Sequence, residues 1–185
     1  MIDDTLLEAE EKMERAIEHA KEEFAVIRTG RASSAMFNRI TVDYYGAPTP
    51  LPQVASIAIP EPRMVLIKPF DTSQISDVEN AIRNSDLGVN PSNEGTQLRL
   101  NLPPMTEERR REMIKVARSK GEDAKIAIRN IRRKAKDEIG KFVKDSDVSE
   151  DEGRSAEKEL DDLTGRFTGL VDELMSAKET ELLEI

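Results

Sequence analysis

Apolar residues at Leu6, Met13, Ile17, Ala20, Phe24 and Ile27 recur at spacings of three, four and seven, and most other positions between residues 3 and 28 are charged. That spacing stacks the apolar side chains on one face, so an amphipathic helix is predicted over 3–28. Toward the other end, Leu160, Leu163, Phe167, Leu170, Leu174 and Ala177 alternate steps of three and four. Such alternation is the seam of a helix packed in a bundle or coiled coil. Ser149 with Glu152 makes a capping box, which starts this helix near residue 150 and lets it run almost to the end of the chain. A third helix is predicted between them. Thr106 can cap it, Glu107 and Glu108 suit the positive end of its dipole, and no proline follows Pro104. From Thr106 to Lys144 it would form a rod of roughly 58 Å. Gly121 and Gly140 each weaken that rod by about 1 kcal/mol relative to Ala and permit a bend. Met113, Val116, Ala117, Ala124, Ala127, Ile128, Ile131, Ala135 and Phe142 fall on the arc expected to face the core.

The middle of the chain has a different period. All nine prolines lie between Ser33 and Pro104, among short β-rich runs at Ile40 to Tyr44, Val54 to Ile59, Met64 to Ile67 and Leu98 to Leu102. Gly46 to Pro50 and Asn90 to Gly95 read as turns or loops. Ser76 with Glu79 reads as a second capping box, opening one short helix that ends near Ser85. The predicted fold is therefore α+β: an elongated three-helix bundle from residues 1–30 and 104–185, with a small β-rich domain of residues 31–103 inserted between its first two helices. The chain crosses between the domains around Thr29, Gly30 and Arg31 and again at Pro103 and Pro104. Gly30 can take positive φ and prolines resist helix continuation. These crossings suit a two-strand hinge, and equally suit simple turns between rigidly packed domains.

Composition narrows the chemistry. The 185 residues contain no Cys and one His, which removes disulfides, thiolate zinc sites and a cysteine nucleophile, and fits a reducing compartment. His19 falls at an outer position of the first helix, where a solvated or bundle-edge residue is the ordinary reading. No catalytic residue, metal site or phosphate-binding glycine loop is predicted. Tyr44 and Tyr45 could stack bases, but with seven aromatic residues in the chain a stacking platform is not expected. The acidic start of the chain lacks the features of a secretory signal, and no apolar run approaches the roughly 20 residues that span a bilayer. A cytoplasmic protein with no membrane contact is expected.

A net charge of −9 would argue against a nucleic-acid partner, but the charge is uneven. Residues 1–30 carry −5, residues 31–103 carry −1, residues 104–145 carry +6 from 14 basic and 8 acidic side chains, and residues 146–185 carry −9. On a helical wheel Arg111, Lys115, Arg118, Lys125, Arg129, Arg132, Arg133 and Lys136 all lie within about 60° of Arg118. Three Arg within Arg129-Asn130-Ile131-Arg132-Arg133 offer planar forks suited to phosphate oxygens or base edges. RNA is the natural target of such a ridge, with the acidic remainder repelling phosphate elsewhere. The alternative is that the stripe pairs with the acidic helices on either side, in a helical-bundle adaptor that binds protein partners and makes no RNA contact.

Four segments together are similar to a known family: Arg28-Thr29-Gly30-Arg31-Ala32, Asp43-Tyr44-Tyr45-Gly46-Ala47-Pro48-Thr49-Pro50-Leu51, Leu102-Pro103-Pro104-Met105-Thr106-Glu107-Glu108-Arg109-Arg110, and Arg129-Asn130-Ile131-Arg132-Arg133. In order and over essentially the whole chain, they resemble the bacterial ribosome recycling factors. The resemblance implies an L-shaped, monomeric, cytoplasmic protein similar in outline to a transfer RNA, which is not an enzyme and uses no cofactor. It implies a factor that binds the large-subunit ribosomal RNA of the post-termination ribosome. With elongation factor G, which consumes the GTP, such a factor splits the ribosome into subunits so that messenger and deacylated transfer RNA leave. By motif match it implies RNA contacts first at Arg132, with Arg129 and Arg133 beside it, and further ones at Arg28 and Arg31; Arg118, Lys125 and Arg111 are candidates from their place on the ridge. DNA is not an expected partner. Arg28, Gly30 and Arg31 match the family's hinge-proximal motif, and the crossings at Thr29, Gly30, Arg31, Pro103 and Pro104 are the expected hinge, about which the small domain would swing when the translocase pushes it.

Overall fold

A computed structural model describes residues 1–184 and divides into two compact units, one of Met1–Ile27 with Arg111–Ile185 and the other Arg28–Arg110. The first unit contains three long helices: α1 (Ile2–Ala25), most of α4 (Glu107–Lys144) and α5 (Glu150–Leu183). Their shared core joins Leu6, Ala9, Met13 and Ile17 of α1 to Ile128, Ala135 and Ile139 of α4 and to Ala156, Leu160, Phe167 and Val171 of α5. Every α1 residue predicted to face inward is buried.

On α5 the seam differs from the sequence reading. The buried positions are Gly153, Ala156, Leu160, Thr164, Phe167, Val171 and Leu182, while Leu170 is 37% exposed. Thr164 is tolerated inside because its hydroxyl donates to the Leu160 carbonyl at 2.8 Å, so no polar atom is stranded. On α4, Ala127 is exposed rather than buried, and Gly121 and Ile139, which hydrophobic pattern alone passed over, are buried. Gly121 is a packing position: a Cβ there would stand 2.6 Å from Met175 Sδ. The helix runs unbroken through both of its glycines over 38 residues, about 57 Å. Thr106 Oγ1 accepts from the Arg109 amide at 3.1 Å at its start. At the start of α5, Ser149 and Glu152 close the predicted capping box.

The second unit is built on a four-stranded antiparallel sheet in the order β3-β4-β6-β5, from β3 (Ala55–Glu61), β4 (Met64–Pro69), β5 (Ser92–Asn93) and β6 (Leu98–Asn101). Val65 and Ile67 alternate with more exposed residues along β4, and Leu98 and Leu100 do so along β6. This is the period-two signature of strands with one buried face. Val78 and Ile82, one turn apart on α3 (Ile75–Arg83), join Phe37, Val42 and Leu51 in the same core.

Two segments read as turns contain strands. Gly46 to Pro50 supplies β2 (Ala47–Pro50), which pairs with β1 (Thr41–Tyr44) through a two-residue turn at Tyr45 and Gly46. Both turn residues have positive φ, 51° and 84°, as a hairpin turn matched to strand twist requires. Pro48 and Pro50 are accommodated because this sheet has only two strands, so β2 is an edge. Likewise β5 lies inside the segment 90–95. Ser76 does not cap α3. Instead Asp71 accepts from the Ser73 amide at 3.0 Å and starts a short 3-10 turn that leads into the helix. Glu79 is turned to Arg83 and Asn93. A one-turn helix, α2 (Leu51–Val54), links β2 to β3.

Candidate nucleic-acid interface

The cations singled out on the long helix fall in the bundle unit, and four of the stripe meet carboxylates of α5. Arg118 Nε donates to Glu179 Oε1 at 2.6 Å and Arg132 Nε donates to Asp161 Oδ1 at 2.6 Å. Lys125 Nζ pairs with Asp172, and Lys136 Nζ stands 3.6 Å from Glu157. Going up α4 the partners go down α5, as antiparallel helices require. Asp172 raises the Lys125 pKa, chiefly through the hydrogen bond, against the opposing effect of burial.

The ladder has a gap. From Arg118 to Lys125 both helices advance by seven residues, but from Lys125 to Arg132 α4 advances by seven while the partner moves from Asp172 to Asp161. No acidic residue lies between Asp162 and Asp172, and the stretch contains Gly165, Thr168 and Gly169. Arg129 sits on α4 opposite this stretch. Among the described residues Arg129 and Arg133 make no ion pair or side-chain hydrogen bond, and both are exposed. Arg129 is close enough to Lys125 to act against its protonation.

Local positive potential therefore has two sources on this face. Two guanidiniums are unneutralised, and four cations are held by partners that are themselves solvent-accessible. The Asp161 and Asp172 side chains are each 55% exposed. Exposed pairs of this kind stabilise a fold by about 0–1 kcal/mol, so the fold does not depend on them; Lys125, 14% exposed, is the most enclosed of the four cations. Arg111 begins the bundle's share of α4 and is exposed. On the same helix Lys120 turns away to Glu23 of α1.

Arg28 and Arg31 belong to the other unit, together with Thr29, Gly30, Pro103 and Pro104. Arg28 is engaged locally: Nη1 donates to the Leu87 carbonyl at 3.4 Å, Nη2 donates to the Asp86 carbonyl, and the Asp86 carboxylate lies 3.7 Å away. Its guanidinium thereby satisfies the turn after α3. Gly30 takes φ 83°, and a Cβ there would stand 3.2 Å from Met105 Cβ, so both backbone and space select glycine. Arg28, Gly30, Arg31, Pro103, Pro104 and Arg109 line one cleft of about 220 Å³. His19 is exposed on α1.

Sequence reasoning missed the carboxylates Glu157, Asp161, Asp172 and Glu179. The signal available was that Asp172 and Glu179 are seven residues apart, matching Lys125 and Arg118, in a helix expected to run antiparallel.

Three long helices that carry an ion-paired cationic edge, interrupted by a small antiparallel β unit, define a class of two-unit α+β protein with a charged helical edge. A family model for the ribosome recycling factor matches residues 20–183, and the chain belongs to that family. It is 73% identical to the ribosome-recycling factor of Salinispora tropica and 63% identical to that of Streptomyces coelicolor, each over the full length of both chains. A solution structure of a ribosome recycling factor superposes with a TM-score of 0.81 at 38% identity, covering 100% of this chain and 98% of that one. A second match, at TM-score 0.70 and 40% identity over the whole of both chains, is the T. thermophilus factor described with E. coli elongation factor G on the E. coli post-termination complex.

Proposed function

We propose that the α4 edge binds large-subunit ribosomal RNA of the post-termination ribosome, and that with elongation factor G and GTP the chain splits that ribosome into subunits. The observation that carries this reading is that, among the described residues, Arg129 and Arg133 are unpaired beside Arg132, on one face of an unbroken helix in a protein of net charge −9. Arg132, Arg129 and Arg133 are the principal contacts, with Arg118, Lys125 and Arg111 extending the edge. Arg28 and Arg31 are secondary RNA contacts. Thr29, Gly30, Arg31, Pro103 and Pro104 form the hinge that lets the small domain move when the translocase pushes it. The domains that move correspond to the two compact units, Met1–Ile27 with Arg111–Ile185 and Arg28–Arg110, close to the 1–30 with 104–185 and 31–103 expected from sequence. Favourable binding to one subunit, combined with steric conflict against the other, would shift the equilibrium toward separated subunits.

On this reading the chain is a cytoplasmic monomer, no helix of the described residues being long and apolar enough to cross a membrane. It hydrolyses nothing and uses no cofactor, GTP being consumed by the translocase. Binding to isolated large subunits over a salt series tests the interface, because phosphate contacts give a steep negative dependence on salt. Arg132→Ala should weaken binding with little change in thermal unfolding, and unaltered binding would remove the ridge from the mechanism. The adaptor reading is favoured by the four neutralised cations of the ladder, and it predicts salt-insensitive binding to protein and none to the subunit. Subunit splitting with and without translocase and GTP, together with a GTPase assay on the chain alone, tests the remainder.

A further inference from the structure

Both arginines of the ladder are held in the same way. Arg132 gives Nε to Asp161 and Arg118 gives Nε to Glu179, each at 2.6 Å, and among the described residues neither Nη1 nor Nη2 of either side chain has a partner. Elsewhere the usual grip is different: Arg83, Arg154 and Arg166 meet their carboxylates through Nη2. Arg99 does use Nε, toward Glu94, but its Nη1 is against Met64 Sδ, and Arg15 gives Nε to a backbone carbonyl, that of Glu11, rather than to a carboxylate. A guanidinium has five N–H donors, and four of them belong to Nη1 and Nη2. Holding the side chain by Nε orders it while leaving the terminal fork available for a bidentate contact with one phosphate.

We infer that Asp161 and Glu179 are positioning residues, which fix Arg132 and Arg118 from the Nε side so that their Nη forks meet phosphate oxygens already ordered. A long side chain that is free before binding must be immobilised during it; one already held is not. The two arginines lie 14 positions apart on one rigid helix, about 21 Å at 1.5 Å per residue. Pre-ordering both would fix two phosphate contacts at a set separation, with Arg129 between them opposite the gap. This inference rests on the α4 edge being the RNA-binding face.

Binding of the full chain to isolated large ribosomal subunits tests it with Asp161→Ala, Asp161→Asn and Arg132→Ala. The two Asp161 variants change the net charge equally, so any difference between them reports the hydrogen bond. Positioning predicts that Asp161→Ala weakens binding by about three- to tenfold, the cost of ordering one long side chain. It predicts that Asp161→Asn, whose amide oxygen still accepts from Nε, retains most of the affinity. Asp161→Ala should add no further loss once Arg132 is alanine. If both Asp161 variants tighten binding, the carboxylate competes with phosphate and the inference is overturned; unchanged binding of Asp161→Ala overturns it too. Glu179→Ala and Glu179→Gln repeat the comparison at Arg118 should an Asp161 variant not fold. Arg132→Ala that binds normally would instead sink the RNA reading of the edge, a result that involves neither carboxylate.

Discussion

The two units hold themselves together by different means. In the small unit Phe37, Val42, Leu51, Val65, Ile67, Val78, Ile82, Leu98 and Leu100 are all fully buried, so one apolar core closes within a short stretch of chain. In the bundle the core is stretched along three helices and relies on small residues, Ala9, Ala117, Gly121, Ala135, Gly153 and Ala156. Its outer edges are tied by cross-helix ion pairs, including Lys120 to Glu23 and Arg166 to Glu10 as well as the α4–α5 ladder. Apolar burial carries the stability in both, since exposed ion pairs contribute little. The bundle's charges are thereby released from a structural duty: with the fold not depending on them, they can be arranged for a partner.

The strongest test of this contrast comes from the closed core. Phe37→Ala should cost about 3–5 kcal/mol through lost burial and the cavity left behind. Amide hydrogen exchange should then show protection lost within residues 28–110 while the amides around Ile128 and Leu160 stay protected. An even loss of protection in both units would mean that they unfold as one, and the contrast would fail.

In the bundle the sensitive positions are its close approaches. A Cβ on Gly153 would stand 2.5 Å from Val143 Cγ2, and valine has little rotamer freedom with which to move aside. Gly153→Val should therefore destabilise by about 1–3 kcal/mol. Gly165 faces open space, so Gly165→Ala should stabilise by up to about 1 kcal/mol through helix propensity. Thermal midpoints moving in opposite directions would support a core that depends on close packing at some glycines and not others. A Gly153→Val protein as stable as the parent would refute it.

How much of this was readable in the sequence differs between the units for physical reasons. The inward face of α1 was legible because its apolar residues have charged neighbours on every other face. The α5 seam was misplaced toward Leu170 and Ala177 because Thr164 and Val171 hold the inner positions, and a threonine satisfied by its own helix does not look apolar. Gly121 appeared as a weak point in a rod, its meaning being fixed only by Met175 on a distant stretch of chain. The β2 strand was hidden by its prolines, which an edge accepts and a central strand would not. At the site the cationic stripe was legible from residue spacing alone. Which of its members are neutralised depends on the α4–α5 register, and the gap opposite Arg129 follows from where α5 has no acid.

Smaller effects test the ends of the long helices. Ser149 Oγ accepts from the Glu152 amide at 3.2 Å, and Ser149→Ala should cost about 1 kcal/mol, read as a lowered thermal midpoint. Asp71 begins the 3-10 turn of the small unit in a comparable way, so Asp71→Ala should produce a loss of the same order there. A loss at Ser149 and none at Asp71 would indicate that only the bundle depends on its helix starts.

The smallest effect is the pH dependence of the same capping box. Glu152 Oε2 accepts from the Ser149 amide at 2.7 Å and from its hydroxyl at 2.8 Å. These bonds, the backbone one foremost, hold the carboxyl pKa below its ordinary value of 4.5. A carboxyl whose folded pKa is depressed binds fewer protons in the native state than in the unfolded chain. It therefore adds stability above the unfolded value, and loses it as pH falls through the folded one. Glu152→Gln removes the titrating group while keeping an acceptor. The thermal midpoint of the parent should exceed that of Glu152→Gln at neutral pH, and the two should converge as the solution is acidified below the ordinary carboxylate range. A gap that persists undiminished in acid would mean that the advantage of Glu152 over Gln does not come from the carboxylate's charge.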